Sequence, residues 1–413
     1  MTRGGSVTLI GCLALVLGLP GAASLVGLGA AKDRLVSGRP RPPPLQLSSL
    51  LSGRFGHDMS DWVFEVVPFK ASLSRLDSLI DVAIFRDSPA PGQLVLGQRG
   101  FAFRIDGRAK PDPQALLHTV LHLDAEATRA GRRLLVAVSP SKASLYPEYL
   151  PAPHRRSHAK TTGPIEASLQ AMSTSTDSPV LDVWGPMRVE KKRLLAVKEP
   201  AHRRLRFVFR PTDDHWSFEA GQVQARVIVT AIDANAWHDD RVVMTPPYVF
   251  RESELNALFL HAGFQEPYVA AALNPDLVLE QTIDELDGGA GRTNAVTTFR
   301  STSTGSMAPL PRRVVVVHDG FLTGLPVTPG PGNDGGIEAL AASFAQTTFV
   351  PWDALSGSAA ALLPFFSDAE VVVVQVGEAQ VGDLMVYEDA LVALLRAAAD
   401  APTTSSRAPH PAP

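Results

Sequence analysis

The sequence predicts an α/β fold built on a mainly parallel sheet, and three observations carry that expectation. Near-continuous apolar runs occur at 133–139, 313–318 and 370–376, as strands covered on both faces require. Stretches of helical period separate these runs, and strand–helix alternation closes a parallel sheet with helices on both sides. Residues able to do chemistry fall just after apolar runs, and open α/β sheets bind ligands beyond the carboxyl ends of their strands.

The two ends of the chain differ from this middle. Arg3 precedes an uncharged apolar run from Val7 to Ala31, which reads as a signal peptide or an uncleaved signal anchor. A bilayer span needs about 20 residues, so the length of the run favours the anchor. Either form places Lys32 onward outside the cytoplasm. Leu9-Ile-Gly-Cys12 superficially fits a lipoprotein box, but here the apolar run follows the cysteine. Arg39 to Pro44 is a stiff, Pro-rich spacer. Trp62, Val63, Val66, Phe69, Leu73 and Leu76 keep a helical spacing that Pro68 divides in two. Residues 32–90 are therefore expected to be a spacer and helical lead-in segment. Residues 91–400 form the α/β domain, and 401–413, rich in Pro, Ser, Thr and Ala, a disordered tail.

Composition narrows the class further. With 413 residues and 45% apolar content the chain can bury a sizeable core. A net charge of −4 and the lack of a long basic run point away from nucleic acid. Cys12 is the only cysteine, which excludes a disulfide framework and a Cys-rich zinc site.

In order, Leu94 to Gln98 and Phe101 to Phe103 read as two strands about a turn at Arg99-Gly100. Pro113 begins a helix that Gly131 ends. His118 and His122 lie one turn apart on it, but zinc needs further ligands and no HExxH pattern is present. Arg133 to Ser139 is a strand, followed by a loop from Pro140 to Pro151. Ile165 to Met172 is a helix, Val180 to Val183 a strand, and Leu205 to Phe209 another. A helix runs from Ala220 to about Ala234. Asp239 to Thr304 is the least legible region, with an extended Pro246–Phe250 and a short helix from Ser253 to His261. Arg313 to Asp319 is the clearest strand, with an exit turn at 320–324 and a Gly/Pro-rich loop at 328–336. Ile337 to Ala345 is a helix, Thr347 to Val350 and Glu370 to Val376 are strands, and Asp389 to Ala399 is the closing helix.

The stretch Phe207-Val-Phe-Arg-Pro-Thr-Asp-Asp-His-Trp216 carries the chemistry. An aspartate two residues before a histidine can orient the imidazole and stabilise its positive charge, which is the acid–base half of a Ser-His-Asp device. The competing reading of His215 is a structural histidine satisfied by Asp213. For Asp214 a solvated carboxylate is expected, and for Lys142 and Tyr146 either cleft or packing roles. His318 is expected to fill space at the strand-end turn.

Several stretches together resemble the AlgJ/AlgX family of alginate O-acetyltransferases, from about Arg39 to Leu384. Leu96-Gly-Gln-Arg-Gly-Phe-Ala-Phe103 is similar to the family's G-x-x-G-W-x-F element, with Phe101 replacing Trp. The loop from Ser139 to Pro151 is similar to P-x-K-x-x-x-Y-P-E-Y-L-P, and Thr212-Asp-Asp-His-Trp-Ser217 to T-D-T-H-W-T. The resemblance implies an SGNH-hydrolase-like three-layer α/β/α fold and an extracytoplasmic protein of the periplasm or cell envelope. It implies acetyl transfer onto a secreted polysaccharide, with a membrane-bound acetyl-donor partner and no metal or organic cofactor. It assigns Asp213 and His215 as acid and base, and Lys142, Tyr146, Trp216 and Asp319 as substrate-binding. The family's nucleophile lies in G-D-S-F, where this chain has His318-Asp319-Gly320-Phe321. Gly320 has no oxygen to attack with, and Ala379 departs from the E-R that follows the last strand. Thr323, Ser301, Ser303 and Ser306 are candidate substitute hydroxyls. The alternative is a catalytically dead glycan-binding or scaffolding subunit.

Overall fold

The computed structural model describes residues 88, 90, 92–105, 111–175, 178–197, 207–252, 255, 265–287, 293–303, 307–319, 336–357 and 359–401. The chain divides into two compact units, one of residues 1–89 with 260–263 and one of the remainder. All described residues except Ser88 belong to the second. The N-terminal apolar run, the helical pattern from Trp62 to Leu76, most of the 253–261 helix, the turn and loop at 320–335 and the tail from 402 lie outside the described residues. Among the described residues no helix is long and apolar enough to cross a membrane.

The core of this unit is a six-stranded sheet in the order β3-β10-β8-β9-β7-β6. Its strands are β3 (Arg133–Ser139), β6 (Leu277–Asp287), β7 (Thr293–Ser303), β8 (Leu310–His318), β9 (Phe344–Pro351) and β10 (Val371–Gly377). β3, β10, β8 and β9 are parallel, while β7 and β6 continue the sheet antiparallel. The valine-rich runs predicted as strands are thus adjacent, with Val374 opposite Val136 on one side and Val317 on the other.

Successive residues of a strand face opposite ways, and both faces here are apolar. Leu135, Ala137, Val314, Val316, Val371 and Val373 pack under α6 (Phe218–Ile232) and α7 (Gly336–Ser343). Leu134, Val136, Val315, Val317, Val372 and Val374 pack under α1 (Pro113–Arg129), α8 (Ala359–Asp368) and α10 (Glu388–Asp400). Two helical layers therefore enclose the parallel strands. Local signals set the helix ends. Pro113 opens α1, with the Asp112 side chain accepting from Ala115 N–H at 3.2 Å, and Gly131 follows it at a φ of 68°. The Ser217 side chain accepts from the Ala220 N–H at the start of α6.

Four further helices, α2 (Lys142–Leu145), α3 (Ala152–Thr161), α4 (Gly163–Ser173) and α5 (Trp184–Ala196), connect β3 to the Asp-His segment. α9 (Asp383–Val386) precedes α10. β1 (Leu94–Leu96) and β2 (Ala102–Arg104) form the expected hairpin.

Two expectations need correction. Of the 205–209 run, the described residues Phe207 to Phe209 form no strand of the sheet. Phe209 instead makes an isolated antiparallel bridge to Trp216, so the segment folds back on itself. Val180 likewise makes a single parallel bridge to Val136. The barely legible 239–304 region holds four long strands, β6, β7, and a ribbon of β4 (Val242–Glu252) against β5 (Gln265–Leu273). Their threonines, charges and three prolines obscured a pairing that only cross-strand partners reveal.

Candidate functional site

The bridge between Phe209 and Trp216 closes a short loop around the Asp-His pair. Ser217 N–H donates to Val208 O at 2.7 Å, and the Phe209 and Trp216 rings meet edge to face with centroids 6.4 Å apart. Inside this loop Asp213 is 1% exposed. One of its oxygens accepts from both the His215 backbone N–H (2.9 Å) and Nδ1 (3.0 Å). Arg210 Nη1 lies 3.7 Å from the other oxygen. A carboxylate can only accept, so Nδ1 carries the imidazole proton and Nε2 keeps the lone pair. The His215 side chain is 22% exposed. This is the tautomer and exposure a general base needs. Burial, the largest influence, pushes the adjacent Asp214 carboxyl above the usual range against the pull of Lys142, Arg104 and His215. Asp214 is half-buried rather than freely solvated.

The loop after β3 grips the backbone of this segment. Lys142 Nζ donates to Pro211 O at 3.0 Å and to Ala102 O at 2.8 Å. The Tyr146 hydroxyl accepts from Val208 N–H at 2.8 Å, and burial pushes that hydroxyl's pKa up. Pro211 O also accepts from Ala102 N–H at 2.8 Å, which ties in the hairpin. Lys142, Tyr146 and Trp216 were expected to meet substrate. They are 3%, 0% and 1% exposed, and their contacts described here are with the protein itself. Lys142 and Tyr146 fix where the Asp-His loop sits, and Trp216 packs against Phe209.

At the carboxyl edge of the sheet, Asp319 accepts the Gly377 N–H, joining the ends of β8 and β10. His318 is buried beside Phe349, and its Nδ1 donates to Asp319 O at 2.7 Å. Burial pulls its pKa down to about 4, so it is neutral at pH 7. Gly320 and Thr323 lie outside the described residues, as does Ser306. Ser301 and Ser303 do not reach this edge: β7 runs antiparallel to β9, with Arg300 opposite Gln346, so its last residues lie toward the amino end of β9.

Sequence reasoning missed a buried polar group at the same edge. Ser139 Oγ donates to Gln224 of α6 (2.9 Å) and accepts from Gln375 Nε2 (3.0 Å). The signal was a glutamine within the valine run of β10. It also missed Arg210 and the role of Glu378, which is 1% exposed. Elsewhere, His122 Nδ1 meets Glu388 at 2.6 Å, and no group of three metal-ligating side chains occurs among the described residues.

Fold and site together define a mixed α/β protein with an oriented aspartate–histidine pair beside its central sheet. The chain is 29% identical over 215 residues, 49% of its length, to the probable alginate O-acetylase AlgJ of Pseudomonas aeruginosa. That match spans 46% of the relative's own length. The AlgJ/AlgX resemblance of the motifs is thereby borne out as a likeness in sequence. No family model matches it. Among solved structures, the O-acetyltransferase domain of Pseudomonas putida AlgJ superposes at a TM-score of 0.42 with 16% identity, covering 73% of this chain and 98% of that one. Bacillus cereus PatB1 with a sulfonyl adduct gives 0.47 and 10%, over 70% and 94%. Pseudomonas aeruginosa AlgX gives 0.38 and 14%, over 72% and 66%.

Proposed function

We propose that this chain works in extracytoplasmic polysaccharide O-acetylation, through an SGNH-hydrolase-like site centred on Asp213 and His215. The observation that supports it most is the His215 tautomer fixed by buried Asp213. In the family's reaction a serine is acetylated and a sugar hydroxyl then takes the acetyl group. His215 would accept the proton of the attacking hydroxyl and return it to the leaving group. The acetyl group would come from a membrane-bound partner, because cytoplasmic acetyl donors do not reach the envelope unaided. The polysaccharide and the N-terminal membrane attachment are part of the same reading.

Gly320 at the nucleophile position favours a second form of this proposal. The chain would then keep the cleft and the oriented pair but not the attack, and serve as a glycan-binding or scaffolding subunit. Loss of a triad serine lowers kcat by about a millionfold. The wild-type protein is accordingly expected to show negligible turnover of a small acetyl ester, and Gly320→Ser to restore a measurable rate that His215→Ala removes. Retention on a polysaccharide column tests the binding form. Wild-type turnover abolished by His215→Ala would overturn the inactive form. A silent Gly320→Ser variant that does not bind glycan either would sink both.

A further inference from the structure

The Asp-His loop is not part of the sheet, so something must fix it relative to the strand ends where the reaction would occur. The grip comes from Lys142 and Tyr146, which lie on or just after α2. A helix of four residues has little stability of its own. Its hold on the loop therefore depends on what holds α2.

That support is Glu378, the residue directly after β10. One of its carboxylate oxygens accepts from the Ser141 N–H at 2.8 Å, and Ser144 Oγ lies 2.7 and 2.6 Å from the two oxygens. Ser141 in turn caps α2, its hydroxyl accepting from Ser144 N–H at 3.2 Å. His158 of α3 closes the group: its Nε2 lies 3.0 Å from Ser144 Oγ and its Nδ1 3.2 Å from Thr162 Oγ1. The serine proton goes to the carboxylate, so His158 donates to the serine and accepts from Thr162. Glu378, just after β10, thus holds α2 at Ser141 and Ser144, while Lys142 and Tyr146 hold the segment that α2 positions.

We infer that Glu378 is a positioning residue for the Asp213–His215 pair, acting through α2 and Lys142 rather than by touching substrate. The path runs from the end of β10 through Ser141 and Ser144 to Lys142, then Pro211 O, then the loop that holds His215. Gly377, the residue before Glu378, donates its N–H to Asp319, so the same strand end also fixes the residue next to position 320. One short segment, 377–378, therefore binds both α2 and the residue after β8. This inference rests on the reading of Asp213–His215 as the site, but its test does not require acetyl chemistry.

The test is proton NMR on the full chain. Wild type should show a downfield Nδ1 proton from His215 bonded to Asp213, identified by its loss in His215→Ala. Glu378→Gln keeps the volume but turns one acceptor into a donor facing the Ser141 N–H or the Ser144 hydroxyl. In that variant, and in Lys142→Met, the proton should exchange with solvent at least about tenfold faster while cooperative unfolding persists. Should Glu378→Gln fail to fold, Ser144→Ala removes the hydroxyl that Glu378 and His158 share and is expected to shift exchange in the same direction. An unchanged exchange rate in a folded Glu378→Gln or Ser144→Ala protein would overturn the inference, as would a wild type without the resonance. If instead the NMR result holds and neither acetyl-ester turnover nor glycan retention is found, the positioning role stands and the proposed function falls.

Discussion

The two halves of the central sheet obey different rules. β3, β10, β8 and β9 are parallel, roofed by helices on both faces, and every residue of β10 is buried. β7 and β6 run antiparallel, and β6 leaves Val278 and Ile283 each 49% exposed. In β3, β8 and β10 the polar residues fall toward the ends, with Ser139, Gln375, His318 and Asp319 gathered toward the carboxyl end, while β9 also buries Thr347 and Thr348 in its interior. The difference shows where the sequence is constrained by burial and where polar residues serve a purpose other than solubility.

The largest contrast should come from a charge placed in the enclosed half. Val373 is fully buried in β10, and Val373→Asp is expected to cost more than about 4 kcal/mol, enough to abolish cooperative unfolding in a urea titration. A soluble, cooperatively folding variant would mean that the helical roof is looser than its packing indicates.

A smaller effect is expected at the polar end of the same half. His318 is neutral when folded, with its pKa lowered from 6.5 to about 4 by burial. The unfolded chain therefore binds more protons between these values. The stability that His318 contributes is present above about pH 6.5 and is lost as pH falls toward 4. His318→Phe, which keeps a ring against Phe349, should flatten the slope of unfolding free energy across that window. An equal slope in both proteins would show that His318 titrates normally.

The smallest effect belongs to the open half. Ile283→Thr on β6 should change stability by no more than about 0.5 kcal/mol, because the side chain is half exposed and threonine suits a strand. A loss of several kcal/mol there would erase the distinction between the halves.

The legible parts of the chain follow the same division. The valine runs at 133–139, 313–318 and 370–376 announced enclosed strands because burial on both faces leaves little choice of residue. α1 was legible from Pro113 and Gly131, whose backbone preferences mark its ends. β4 to β7 were not, since their pairing depends on partners across the ladder rather than on local pattern. The Asp-His pair was legible because both members lie in one short segment. The Glu378 network was not, because Ser141 and Ser144 are more than 200 residues from it in sequence and no local pattern links them. Val208 shows the opposite error: an apolar run next to a motif was read as a sheet strand, whereas Val208 packs in the core against one face of the sheet, with Leu135, Ala137 and Val373, and pairs with none of its strands.

That bridge has a further consequence. Closing a loop from Phe209 to Trp216 costs little conformational entropy compared with closing one of hundreds of residues. The bridge therefore shapes the Asp213–His215 contact locally, while Lys142 and Tyr146 set where the closed loop sits. Whatever the loop does, its shape is set by eight consecutive residues and its position by two side chains from elsewhere in the chain.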